Sequence, residues 1–237
     1  MKVSTAFIRD WTNPWREYCS EFIGSLVFVF LASSVVVSQN IVGQDNLLVI
    51  ALGTGFSYAC ILYATGHVSG GFLNPAVVVS LWLVKKLSGV KTTFFIIAQV
   101  LGSLSGAILV FGVFGQRAVQ NLFGAPQFGL GVVTESALIF EITLSAIFVF
   151  LVHAVGVNKS APTIFGPLVY GLYLVVCTLV AYGTSGASVN VTRAFGPVVL
   201  SGQYSSLFVY IVGGLSGSLV GVFYEYVFVK KYKSSKS

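Results

Sequence analysis

Two short segments, each centred on an asparagine, decide the fold of this chain. They read Gly66-His67-Val68-Ser69-Gly70-Gly71-Phe72-Leu73-Asn74-Pro75-Ala76 and Gly183-Thr184-Ser185-Gly186-Ala187-Ser188-Val189-Asn190-Val191-Thr192-Arg193. Each segment follows a long apolar run and precedes a run too short to cross a bilayer, residues 77–84 and 194–200. This pattern is typical of a loop that enters the membrane and returns to the same side. Because an asparagine can cap a helix, the segments predict two half-helices that meet at a central polar site.

Composition places the chain in a membrane. Hydrophobic residues make up 56% and charged residues 8% of its 237 residues, and the mean hydropathy is +0.91. So few charges cannot solvate a globular surface. Six apolar stretches approach the roughly 20 residues that a hydrocarbon core requires. They cover residues 17–38, 47–65, 92–114, 134–155, 163–182 and 205–229. The sequence therefore predicts an all-α membrane protein with six transmembrane helices and two re-entrant half-helices.

Basic residues orient these spans. The side expected to hold the termini carries Lys2, Arg9, Arg16, Lys85, Lys86, Lys91, Lys159, Lys230, Lys231, Lys233 and Lys236. The opposite side carries Arg117 and Arg193. Cytoplasmic loops are enriched in Lys and Arg, so we expect both termini in the cytoplasm. We also expect a plasma membrane rather than an organelle. The net charge of +6 suits an anionic inner leaflet, and no basic surface interleaved with aromatic residues suggests nucleic acid.

The two halves of the chain repeat each other within a single membrane domain, residues 1–237. Glu21 opens the first half and Glu141 occupies the same place in the second, with an asparagine segment following at a similar distance. The repeats cover about residues 17–114 and 134–229. Three spans separate the copies, so the second copy enters the membrane inverted. We expect both carboxylates to accept hydrogen bonds from the re-entrant backbone. A pair of proton-coupling carboxylates in a secondary transporter is the alternative.

The predicted centre favours uncharged molecules. Asn74 and Asn190 can cap backbone N–H groups with their side-chain oxygens and leave their amide hydrogens facing a pore. Two half-helix N-termini that face each other concentrate positive partial charge, which repels cations including hydronium. Pro75 suits the first helical position, whereas Val191 lacks its preset φ and leaves the second half-helix less rigid. The alternative is that the asparagines only cap helices.

Arg193 is the basic residue of the second segment. A charge within the membrane is costly, so the side chain is a candidate for a functional site, and we expect it to line the outer constriction. The alternative is that Arg193 only extends to the outer interface.

Over nearly its whole length the sequence resembles the aquaporin family, also called the major intrinsic proteins. The matching residues are Glu21, the string from His67 to Ala76 with its Asn-Pro-Ala, Gln99, Gly102, Glu141, Gly171, Gly186-Ala187-Ser188, Asn190, Arg193 and Phe195-Gly196-Pro197. One departure is that Asn190-Val191-Thr192 stands where the family has a second Asn-Pro-Ala. The resemblance implies a passive water channel that excludes protons and ions. It also implies a homotetramer with one pore per subunit.

The resemblance places Thr54, Thr178 and Ala187 beside Arg193 in the outer constriction and assigns His67 to the organisation of the first loop. Strict water channels commonly have an aromatic residue and His at the first two positions. Small hydroxylated residues there imply an opening wide enough for glycerol or urea. Against this, Ala194 replaces an Asp and Val198 a basic residue of glycerol facilitators, and Tyr210 is aromatic as in water channels.

The sequence therefore predicts a water channel that also passes small uncharged solutes. The alternatives are a glycerol- or urea-type facilitator and a structural membrane protein with a closed pore. An enzyme would need a nucleophile with its base or a metal cluster, and two isolated His and three scattered Cys supply neither. We expect no metal and no cofactor. Water, small neutral solutes and the bilayer are the expected partners.

Overall fold

Six long apolar helices form the body of the protein. The computed structural model describes residues 14–43, 46–158, 161 and 163–230. The helices able to cross a membrane are Trp15–Ile41, Leu47–Ser69, Gly89–Phe114, Thr134–Val157, Thr163–Ala181 and Tyr204–Val229. They confirm the six predicted spans, each boundary lying within about a turn of its predicted place. The described residues contain no strand, so the predicted all-α fold is correct.

The helices are numbered here in chain order. The first half contains α1 (Trp15–Ile41), α2 (Leu47–Ser69), α3 (Pro75–Leu83), α4 (Gly89–Phe114) and the short α5 (Gln116–Gln120). The second half contains α6 (Thr134–Leu151), α7 (Gly166–Ala181), α8 (Val191–Ser201), α9 (Tyr204–Ser216) and α10 (Leu219–Tyr224). Wider helical turns, Val152–Val157 and Glu225–Lys230, extend α6 and α10. Single 3-10 turns lie at Leu122–Gly124 and Thr163–Phe165.

Two of these helices, α3 and α8, are the predicted half-helices. They have 9 and 11 residues, about half the length that spans a hydrocarbon core. The loop into α3 starts where α2 ends at Gly70, whose φ of 101° is left-handed. Gly202, with a φ of 74°, ends α8. Left-handed backbone is unstrained at glycine, so both chain reversals occur without a steric penalty.

Close helix crossings repeat between the two halves. α1 packs on α4, and its counterpart α6 packs on α9. A Cβ at Gly102 of α4 would collide with the Phe22 carbonyl oxygen of α1, and a Cβ at Gly217 would collide with Ser145 of α6. α2 and α7 join the halves at Gly55 and Gly171. Small residues are the main route to tight helix packing in lipid, where the hydrophobic effect does not drive association. These crossings set the frame that holds both loops.

Candidate pore site

The N-termini of the two half-helices meet through their asparagines. Asn74 Oδ1 accepts the Ala76 N–H at 3.0 Å, and Asn190 Oδ1 accepts the Thr192 N–H at 2.9 Å. Each amide group then reaches across to the other loop. Asn190 Nδ2 donates to the Leu73 carbonyl at 2.8 Å, and Asn74 Nδ2 donates to the Val189 carbonyl at 3.4 Å. One amide hydrogen of each asparagine is therefore used within the protein, and the second remains for a molecule at this centre.

The residues before the asparagines are held in an unusual conformation. Leu73 has a φ of 45° and Val189 a φ of 56°. Left-handed backbone is uncommon for such side chains and is retained only where surrounding contacts enforce it. Here the carbonyls accept the asparagine amides, and the N–H groups donate to Glu21 and Glu141 at 2.8 Å and 2.7 Å. Bonds at both ends of each residue therefore hold the two asparagines in register.

Two buried carboxylates organise the loops. Glu21 accepts the Ser69 hydroxyl at 2.6 Å, the Phe72 N–H at 3.0 Å and the Gln99 amide at 2.7 Å. Glu21 also accepts the Leu73 N–H at 2.8 Å. Both carboxylates are inaccessible to solvent, and both serve backbone that no regular helix satisfies.

Glu141 repeats this arrangement in the second half. Its oxygens accept the Ser185 hydroxyl at 2.6 Å, the Ser188 N–H at 2.9 Å and the Val189 N–H. The Tyr210 hydroxyl adds a bond to the Ser185 carbonyl at 2.8 Å. The two loops are thus supported by equivalent contacts, in agreement with an inverted repeat.

Arg193 lies buried one turn into α8. Its guanidinium donates to the Gly124 carbonyl at 2.8 Å and to the Ser33 hydroxyl at 3.3 Å. Gly124 has a φ of 64°, and a Cβ there would collide with the Ser33 carbonyl oxygen. The segment before α6 therefore packs closely on α1 and orients the guanidinium. Neither partner of Arg193 can be identified from the sequence pattern. Its one signal there is the glycine that ends the turn Leu122–Gly124.

The other proposed constriction residues are all small and buried. Thr54 lies on α2 and Thr178 on α7, the two helices that join the halves. The Thr178 hydroxyl donates to the Leu174 carbonyl of its own helix at 2.9 Å, so its oxygen can only accept from a solute. Ala187 has a left-handed φ of 51°, and its N–H donates to the Ser185 hydroxyl.

The Asn-Val-Thr sequence forms a regular helix start. Val191 occupies the first position of α8 as Pro75 does in α3. A Cβ at Gly214 of α9 would press on a Val191 methyl group, so glycine there leaves room for the branched side chain. The Thr192 hydroxyl is buried, with no hydrogen-bond partner in the described residues.

His67 takes no part in the hydrogen bonds of the asparagine pair. It lies in the last turn of α2 with an exposed side chain, and the described part of the chain offers that side chain no hydrogen bond. The first loop is instead held by Glu21 and its partners.

Two cavities lie on opposite sides of the asparagine pair. The inner cavity, on the face where α1 begins, has a volume of about 210 Å³ and is lined by Tyr58, Gly70, Val77, Val152, Tyr170 and their neighbours. The outer cavity, on the face where α1 ends, has a volume of about 350 Å³ and is lined by Val36, Asn40, Gln120, Ala125, Gln127, Tyr182 and their neighbours. The buried asparagines separate them.

This architecture defines a class of membrane protein in which two inverted repeats bring two capped half-helices together between opposing cavities. The family model for the major intrinsic proteins matches residues 8–225 of the chain. The chain therefore belongs to the major intrinsic protein family, whose members are channels rather than enzymes.

Named relatives agree with this assignment. The chain is 33% identical to aquaporin-4 of Mus musculus over 95% of its own length and 72% of that protein. It is also 33% identical to the probable aquaporin TIP2-2 of Oryza sativa subsp. japonica, over 90% of this chain and 88% of that one. The aquaglyceroporin of Plasmodium falciparum has a similar fold, with a TM-score of 0.79, 22% identity and coverage of 90% and 96% of the two chains.

Proposed function

We propose that this protein is a passive channel that conducts water and small uncharged solutes and excludes protons and ions. The observation that supports this most directly is the pair of asparagine caps that exchange hydrogen bonds between the two loops. A water molecule that accepts the remaining amide hydrogens turns its own hydrogens outward. The chain of hydrogen bonds along which a proton could move is then interrupted at the pair.

Electrostatics supports the exclusion of cations. Each half-helix N-terminus contributes roughly half a positive elementary charge, and both face the same centre. Arg193 adds a full charge that is buried and has no carboxylate partner in the described residues. Charge and dipoles of one sign raise the energy of a cation in the passage, whereas a neutral molecule meets no such barrier.

Small side chains at the outer constriction favour a channel that passes solutes larger than water. Thr54, Thr178 and Ala187 present small side chains beside Arg193 in our assignment, and their size leaves room for urea or glycerol. A dedicated glycerol or urea facilitator is therefore the second candidate. We further propose a homotetramer with one pore per subunit, with both termini in the cytoplasm and the plasma membrane as the site of action.

Stopped-flow light scattering of proteoliposomes tests the proposal. An osmotic gradient of sucrose should drive water efflux well above the rate of protein-free liposomes, and gradients of urea and glycerol should give slower but measurable solute entry. A pH-sensitive dye inside the vesicles should report no added proton leak. The double variant Thr54→Phe, Thr178→His should reduce solute entry more than water efflux, because it narrows the outer constriction.

Each contrary result selects an alternative. Water efflux equal to that of protein-free liposomes would favour the closed-pore structural protein. Glycerol entry with little water efflux would favour the solute facilitator. Unchanged solute entry in the double variant would show that Thr54 and Thr178 do not line the narrow part of the pore.

A further inference from the structure

Three aromatic rings from three membrane helices meet next to the asparagine pair. Phe28 of α1, Tyr58 of α2 and Phe148 of α6 belong to one buried apolar cluster that also contains Leu73 and Val189. The Tyr58 ring is edge-on to both others, with centroid distances of 4.8 Å to Phe28 and 5.9 Å to Phe148. Each ring is only 1% exposed.

A hydrogen bond of Tyr58 places this cluster beside the loop that precedes Asn74. Its hydroxyl donates to the Phe72 carbonyl at 3.0 Å, and Phe72 directly precedes Leu73 and Asn74. Tyr58 also lines the inner cavity. The ring thus contacts both the inner cavity and the loop that leads into Asn74.

The repeat places the other two rings at equivalent positions. Phe28 follows Glu21 at the same spacing at which Phe148 follows Glu141, so each ring projects from its half beside the loop that its carboxylate supports. Phe148 is backed by Tyr170 at 5.9 Å and Tyr173 at 6.1 Å. Such close packing restricts rotation of the ring out of the passage.

The two levels differ in the chemistry of their side chains. The outer positions carry two threonines and an alanine beside Arg193, whereas the inner level carries three large rings. The two phenylalanine rings offer no hydrogen bond to a solute, and the Tyr58 hydroxyl, which already donates to the Phe72 carbonyl, can only accept one. A polyol must shed several hydrogen bonds to water there with little replacement, and a water molecule sheds fewer.

We propose that Phe28, Tyr58 and Phe148, the aromatic triad, form a second constriction that slows small polyols relative to water. The inference rests on the proposed channel function and assigns its solute selectivity to the inner side of the asparagine pair rather than to the threonines alone. Tyr58 is the residue with the largest effect, because its ring contacts both partners and the cavity.

Flux ratios of Tyr58 variants test the triad. Tyr58→Val removes the ring, and the ratio of glycerol to water permeability in proteoliposomes should rise about tenfold, a change of one decade in rate. Phe148→Leu, on the opposite repeat, should shift the ratio in the same direction. Tyr58→Phe keeps the ring and frees the Phe72 carbonyl, so water permeability should rise while the ratio stays low. Retained water permeability shows that each variant is folded.

Phe56→Val is the matched control. Phe56 lies on the same helix, two positions before Tyr58, and is 47% exposed on the outside of the protein. Its loss should leave the ratio unchanged. An unchanged ratio in both Tyr58→Val and Phe148→Leu, or an equal rise in Phe56→Val, overturns the triad. Absence of water flux in both the wild type and Tyr58→Val overturns the channel function, whereas flux that appears only in Tyr58→Val supports the triad as the barrier.

Discussion

Arg193 is a buried cation near the centre of the protein. Its guanidinium is held by one backbone carbonyl and one serine hydroxyl, and neither carries a negative charge. Burial of an uncompensated charge is costly and is usually retained for function. In the channel we propose, the charge adds to the positive ends of the half-helices, which repel cations. We expect the charge, rather than the volume of the side chain, to determine cation exclusion.

Replacing Arg193 by Val should raise proton leak about tenfold, equal to roughly 1.4 kcal/mol of barrier, while water flux persists. The measurement is pH-dye leakage in proteoliposomes under a pH gradient. Arg117→Val is the control, because Arg117 is exposed on the same side of the membrane in our orientation. An equal leak in both variants, or none in Arg193→Val, would show that the half-helix dipoles form the barrier alone.

At the scale of helices, the crossing of α2 and α7 joins the two repeats. A Cβ on Gly55 would collide with the Gly171 carbonyl oxygen, and a Cβ on Gly171 with the Gly55 carbonyl oxygen. The two backbones thus touch reciprocally, next to Thr54 on α2 and about two turns before Thr178 on α7. Because interiors of folded proteins are close-packed, the crossing cannot widen without moving the residues it carries.

Gly55→Ala should therefore destabilise the protein by about 1–3 kcal/mol, the usual cost of overpacking a packed interior. Thermal unfolding in detergent, followed by tryptophan fluorescence, measures the change. Gly112→Ala is the matched control, since a Cβ there meets no atom within 4 Å and alanine favours the helix. Equal unfolding temperatures for the two variants would contradict the tight crossing.

At the scale of the whole molecule, much apolar surface faces outward. Large side chains such as Ile139 (64% exposed) and Phe208 (61% exposed) lie on membrane helices, where lipid or a neighbouring subunit can cover them. The pore we propose lies within one chain, between its own two repeats. Association into a tetramer would therefore not be needed to form the passage.

Native mass spectrometry should find four copies of the 25.2 kDa chain in one particle, because major intrinsic proteins, which this chain resembles, form homotetramers. Water flux per chain should not change when the protein is diluted among liposomes, since each subunit carries its own pore. A stable monomer or dimer with full water flux would contradict the tetramer and leave the channel function intact.

The sequence by itself determined the spans, the half-helices and their asparagine caps. Apolar length, helix-capping chemistry and the repeated position of Glu21 and Glu141 are local features, and each can be read from neighbouring residues. Tertiary structure alone decided which groups meet. The exchange of bonds between Asn74 and Asn190, the partners of Arg193 and the contact of Phe28, Tyr58 and Phe148 join residues far apart in the chain. Such contacts depend on how helices cross, and that geometry is set by packing of the whole fold rather than by any local pattern.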